Sequence, residues 1–171
     1  MSDIEDRIRK LEDRAEIQDL AARYFLATDD DDYEALAQCF TQEARFAASG
    51  FEDSVGRDAI IAFLKAARAG MAQTVHTIDY AHVRLGGVDD ATGIVTAHLE
   101  LGLGDTTVFA AVRYIDEYAR EDGQWRIAAR EMKAVHVSPW DEVAQSLVQT
   151  NNVRWPGAPA GPSDFSRKKS D

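Results

Sequence analysis

The sequence predicts an α+β fold in which helices pack on one face of a curved, mostly antiparallel sheet. Three observations carry this. Apolar residues recur at helical spacing through the first part of the chain and switch to a period of two after Gly70. Gly- and Asp-rich turn signals, GGVDD and EDGQ, separate the alternating segments. Strands and helices do not alternate, which argues against a parallel βαβ sheet.

The first helix is expected from Asp3 to about Thr28, with Ile4, Ile8, Leu11, Ile17, Leu20, Ala21, Tyr24 and Phe25 on its apolar side. It runs into four consecutive aspartates, Asp29 to Asp32. A helix C-terminus carries partial negative charge, so carboxylates there cost about 0.3–1 kcal/mol each and call for another role. A second helix, YEALAQCF, follows. Asp31 is expected as its N-cap, because Glu34 lies three residues on in a capping-box pattern, and Asp32 suits its first turn. Asp29 and Asp30 have no such local explanation.

ARFAAS reads as a short strand. GRDAIIAFLKAARAG reads as a third helix, with Ala59, Ile60, Phe63 and Leu64 on one face and Gly70 as its stop. Four strands follow: TVHTIDYAHVRL, TGIVTAHLELGL, TTVFAAVRYIDEYA and WRIAAREMKAVHV. In the first, the alternation slips near Asp79 and Tyr80. His76 and Ile78 share a face before the slip, and Ala81, Val83 and Leu85 continue it afterwards, which predicts a bulge. SPWDEVAQSLV predicts a short helix capped by Ser138, with Pro139 at its first position. The fold is expected to occupy residues 1–148 as one domain. The Pro-, Gly- and Ser-rich remainder, 149–171, is expected to be a loosely ordered tail, with Trp155 either anchored to a neighbour or exposed.

Composition excludes several function classes. The 171 residues carry a net charge of -11, which opposes binding to nucleic acid or to an anionic membrane. The single cysteine, Cys39, rules out a disulfide framework. It lies on the apolar side of a short helix, where nothing lowers its pKa, so it is not read as a nucleophile. The acidic start MSDIEDRIRK is not a signal peptide, and no apolar run is long enough to span a bilayer. A soluble, cytoplasmic protein is expected.

The four histidines are His76, His82, His98 and His136. His76-x-x-Asp79-x-x-His82 has the look of a metal motif, but on a regular strand Asp79 faces away from both histidines, and a bulge would part the histidines instead. No metal site is expected. His82 and His98 are read as hydrogen-bonded strand histidines.

The segments IQDLAARYFLATDDDDYEAL, GRDAIIAFL and YIDEYAREDGQWRI resemble the SnoaL-like group of the nuclear-transport-factor-2-like superfamily. The likeness covers roughly Ile4 to Val137 and is strongest to its lyases: scytalone dehydratases, bile acid dehydratases and hexachlorocyclohexane dehydrochlorinases. It implies a cone, a curved sheet wrapped around three N-terminal helices with a pocket at the open end. It also implies a catalytic aspartate ending the first helix, matched by Asp29, twelve residues after Ile17, and a tyrosine five residues before it, matched by Tyr24. A histidine opening the first long strand matches His76. By that resemblance Asp29 and His76 are a general-base dyad and Tyr24 a hydrogen-bond donor to substrate. The arginine that bile acid dehydratases carry on the last strand falls here on Ala134. His136, on the same face if the strand is regular, is the substitute candidate for substrate binding.

The reaction implied is a cofactor-independent, metal-free elimination on a small apolar or cyclic organic molecule. Two other classes stay open at this stage. One is a non-catalytic binding or assembly module of the same fold. The other is an isomerase or polyketide cyclase on the same cone. Apolar residues on both faces of TTVFAAVRYI predict a homodimer or homotrimer through the outer face of the sheet.

Overall fold

The protein is described from a computed structural model, over residues 3–165. Helix α1 spans Asp3–Asp29, α2 Tyr33–Gln38 and α3 Arg57–Arg68. The strands are β1 Phe40–Ala48, β2 Ser54–Val55, β3 Met71–Leu85, β4 Asp90–Leu103, β5 Thr106–Glu121 and β6 Gln124–Pro139. They form a single curved, unclosed sheet in the order β2-β1-β6-β5-β4-β3. Among these six strands only β1 and β6 pair in parallel, and the other strand pairings are antiparallel. This is the α+β cone that the resemblance implied.

Burial follows the expected alternation. On β5, Val108, Ala110, Val112, Tyr114, Asp116 and Tyr118 turn inward and are buried. The inner face of the sheet wraps the second half of α1, where Ile17, Leu20, Ala21, Tyr24 and Phe25 are buried. The first turns of α1 lie outside this core. Ile4, Ile8 and Leu11 keep their helical spacing but are exposed. Asp13 fastens the helix instead: almost wholly buried, it accepts from Trp125 Nε1 at 3.1 Å and from Arg120 on the β5–β6 hairpin.

Bulges curve the sheet. The β3–β4 register skips Asp79, so the predicted slip is real. On β6 the register against β5 skips Ala128 and Val135. Gly93 on β4 lies beneath the Tyr118 ring, where an added Cβ would stand 2.9 Å from a ring carbon.

Four local expectations are corrected. The cap of α2 is Asp32, whose carboxylate accepts from the Ala35 N–H at 2.9 Å. Asp31 precedes it in the left-handed region (φ 54°), a conformation in which Asp is among the few tolerated residues. Helix α3 ends in right-handed geometry at Ala69, so Gly70 is not a left-handed stop. Its Ala59 is exposed, and the buried stripe is Ile60, Leu64 and Arg68. Ser138 belongs to β6 and accepts from Arg154 Nη2 at 2.5 Å. The turn beyond it is a 3₁₀ segment, Trp140–Glu142, leading into α4, Val143–Ser146.

The tail is corrected as well. Val137 N–H donates to Asn152 C=O at 2.8 Å and Arg154 N–H to Val137 C=O at 3.0 Å, laying the segment along β6. Further on, Asp164 accepts from the Ala134 N–H at 2.7 Å and the Ser49 hydroxyl at 2.6 Å. Composition marks this stretch as unable to build a core. It does not reveal backbone groups that complete the free edge of another strand. Residues 166–171 of the expected tail lie outside the described residues.

Candidate active site

Helix α1 delivers Asp29 as its last residue, and β3 carries His76 across from it. Asp29 Oδ1 lies 2.6 Å from His76 Nδ1, and Oδ2 accepts the His76 backbone N–H at 2.8 Å. Thr74 Oγ1 donates to Oδ1 at 2.8 Å. An ionised carboxylate can only accept, so Nδ1 is the ring nitrogen that carries a proton toward Asp29, and in the neutral tautomer the lone pair sits on Nε2. Burial pushes the Asp29 carboxyl up, but the hydrogen bonds from the His76 ring and backbone, with the charge on His76 and the Thr74 hydroxyl, hold it below its usual value. Those contacts offset the cost of a carboxylate at a negative helix end. Phe25 stacks on the imidazole, centroids 5.2 Å apart at 22°, and fixes the ring from the α1 side.

The network extends outward. Arg68, buried on α3, donates from Nη1 to Thr74 Oγ1 at 3.0 Å and from Nε to Asp31 Oδ1 at 2.7 Å. Tyr33 OH also donates to Asp31 Oδ1, at 2.9 Å. The four aspartates therefore separate by role: Asp29 holds His76, Asp31 holds Arg68, Asp32 caps α2 and Asp30 is exposed.

His76 lines a cavity of about 240 Å³. Its apolar walls come from Phe46, Phe63, Leu99, Leu101 and Met132, and Trp155 of the docked tail contributes another side. Its polar groups are Tyr24, Thr28, Arg68 and Tyr114 beside His76. An engineered cavity of about 150 Å³ holds benzene, so this one admits one ring or two fused rings. A groove of about 440 Å³ between α1 and the β5–β6 turn, lined by Asp19, Arg23 and Trp125 among others, contains none of the predicted site residues.

Tyr24 is buried at the cavity wall, edge-on to Tyr114 with centroids 6.2 Å apart. Burial raises the pKa of both phenols, with Arg130 opposing, so both stay protonated donors near neutral pH. Behind them Arg130 lies with its guanidinium carbon 4.2 Å from the Tyr24 centroid and 4.7 Å from that of Tyr114. It grips Asp116 with two bonds of 2.8 and 2.7 Å, both side chains being wholly buried. Tyr118 OH adds a third bond to Asp116, at 2.6 Å.

His136 is a correction. It does not line this cavity. The bulge at Val135 turns it to the outer face, opposite Ala111, where its Nδ1 meets Ser146 Oγ at 3.1 Å. Burial lowers its pKa, with a further contribution from His98. His98 bonds Asp79 at 2.9 Å on the same outer face and stacks on Phe109. Among the described residues no three histidine, cysteine or carboxylate side chains are grouped to hold a metal ion. Cys39 is buried, which pushes its thiol pKa up.

Sequence reasoning missed Arg68 and Arg130 with Asp116, and left Trp155 open between an anchored and an exposed position. A signal existed for the first three. Arg68 continues the Ile60–Leu64 stripe at a spacing of four, and Arg130 and Asp116 occupy inward positions on neighbouring strands.

No curated protein matches the chain. Among solved structures, a hexachlorocyclohexane dehydrochlorinase, LinA type 3 from Novosphingobium barchaimii, superposes with a TM-score of 0.75 at 20% identity over 80% of this chain and 96% of its own. A protein provisionally named scytalone dehydratase, from Novosphingobium aromaticivorans, gives 0.76 at 16% over 94% and 99%. A singly substituted form of a Mycobacterium tuberculosis protein of unknown function, Rv3472, gives 0.69 at 26% over 88% and 83%. The description "SnoaL-like domain" fits residues 9–131, and the chain belongs to that family within the nuclear-transport-factor-2-like superfamily.

Proposed function

We propose that the protein is a cofactor-independent lyase that removes a proton from carbon on a small apolar or cyclic molecule and expels water or halide. His76 Nε2 takes the proton, Asp29 holds the tautomer and stabilises the imidazolium, and Tyr24 donates a hydrogen bond to a substrate oxygen or the leaving group. The observation that carries this reading is the Asp29–His76 contact of 2.6 Å at the wall of an apolar cavity. Structural relatives that include a dehydrochlorinase agree with it.

The test is a panel of cyclic compounds bearing a hydroxyl or halide next to an acidic C–H, followed by mass spectrometry and by deuterium uptake from heavy water. His76→Gln is expected to lower turnover by about 10²–10⁴-fold. A variant that keeps the wild-type rate would remove His76 from the mechanism. If the wild type consumes no compound and exchanges no proton, the binding-module reading takes its place.

The same reading includes a homodimer or homotrimer. Exposed Val75, Tyr80 and Ile94 on the outer face of the sheet, and exposed Ile4, Ile8 and Leu11 on α1, support it. Light scattering that returns a monomer at tens of micromolar would overturn it.

A further inference from the structure

We propose that Arg68 binds a carbonyl oxygen of the substrate, so that the molecule taken by this cavity is a one- or two-ring compound with a ketone-type acceptor. Four observations converge on it. Arg68 lines the same cavity as His76. It is the permanent cation on a wall otherwise built, among the described residues, of aromatic, aliphatic and neutral polar side chains together with the imidazole. Its residue exposure is 8%, so a bond made from it is little weakened by water. Two of its nitrogens are committed, Nε to Asp31 and Nη1 to Thr74, while Nη2 has no hydrogen-bond partner among the described residues.

The position is imposed by the fold. Arg68 ends α3, where the helix dipole favours a cation. Asp31 holds it from the solvent side and Thr74 from the side of the dyad, so the guanidinium plane is fixed without filling all its donors. Thr74 then places Arg68 three hydrogen bonds from the imidazole: Arg68 to Thr74, Thr74 to Asp29, Asp29 to His76. Arg68 and His76 line the same cavity, and in the proposed pose the carbonyl sits at Nη2 and the carbon beside it at His76.

The chemistry is consistent with that arrangement. When His76 Nε2 takes a proton from the carbon next to a ketone, the C–H pair becomes the C=C bond of an enolate and the negative charge moves to oxygen. A fixed cationic donor at that oxygen stabilises the enolate more than the ketone. This catalytic half rests on the reading of His76 as base; the binding half does not.

The experiment uses two probes of the same size, α-tetralone and tetralin, which differ in the carbonyl. Dissociation constants are measured by NMR titration of the wild type and of Arg68→Met, and the side-chain nitrogen signals of labelled arginine are followed in the wild type. The wild type is expected to prefer α-tetralone by roughly tenfold or more, the worth of one charge-assisted hydrogen bond. The Arg68 Nη signal should move with α-tetralone and stay still with tetralin. Arg68→Met should bind the two equally while keeping its tetralin affinity. Equal affinities in the wild type, an Arg68→Met variant that weakens both by the same factor, or no binding of α-tetralone at millimolar concentration would each overturn the assignment. The arginine signal decides the matter even if Arg68→Met fails to fold. If Arg68 selects the carbonyl and His76 proves not to be bonded to Asp29, the binding stands and the lyase reading falls; the reverse result separates them the other way.

Discussion

Asp29 holds His76 at two points, with Oδ1 2.6 Å from the ring Nδ1 and Oδ2 accepting the backbone N–H of the same residue at 2.8 Å. One carboxylate thus fixes both the strand and the imidazole it carries. Asp29→Asn keeps the shape but supplies an amide NH₂ as well as an oxygen, which permits the opposite ring tautomer. Turnover is expected to fall by roughly 10²-fold or more in single-turnover assays, and the thermal midpoint should fall as well, since the variant loses the stabilisation of the low-held carboxylate.

The four aspartates give a sharper prediction because each has a different partner. Asp32→Ala removes the α2 cap and is expected to cost about 1 kcal/mol in urea unfolding while sparing activity. Asp30→Ala, at an exposed site, should change stability by less than about 0.5 kcal/mol. Asp31→Asn tolerates the left-handed backbone but weakens the hold on Arg68, so α-tetralone affinity should fall and tetralin affinity should not.

The Arg130–Asp116 pair lies in the core with neither side chain exposed. Removing one partner strands a buried charge, so Asp116→Ala is expected to destabilise by about 3–5 kcal/mol. The double replacement Asp116→Leu with Arg130→Met should cost less than the sum of the two single changes. A double-mutant cycle in guanidinium chloride measures this, and additive losses would contradict it.

His136 and Asp29 both weaken the fold as the pH falls. Burial lowers the His136 pKa, so the unfolded chain takes up a proton there first. Stability is full above about pH 6.5, the unfolded value, and is lost as the pH falls from there toward the folded value. The Asp29 carboxyl is held low in the fold, so its contribution is full above about pH 4 and is lost as the pH falls through its folded value. Urea midpoints between about pH 7.5 and 5 should fall less in His136→Leu than in the wild type.

The cone was legible because helical spacing dominates before Gly70 and four alternating strands follow it. The bulge at Asp79 was legible too, because polar and apolar residues trade faces there. The bulge at Val135 was not. Ala134 and Val135 are both apolar, so the pattern is satisfied on either face, and a regular strand would put His136 on the wrong one. Asp29, Tyr24 and His76 were brought forward by resemblance to a family; Tyr24 and His76 line one cavity, and Asp29 bonds His76 from behind. The Arg68–Thr74 link could not be read in advance. It joins a helix end to a strand start across the turn at Gly70, and spacing says nothing of where two side chains meet. The tail was misread for a similar reason: its composition predicts poor self-packing, whereas its order comes from the edge of β6.

The most direct test of the central claim is the protonation of the His76 ring at neutral pH, read from its nitrogen and ring-proton NMR signals in the wild type and in Asp29→Asn. A proton on Nδ1 with the strong downfield shift of a short hydrogen bond, a bare Nε2, and loss of that downfield signal in the variant are expected. A proton on Nε2, or signals that ignore the substitution, would contradict the claim and leave His76 as a structural residue of the sheet.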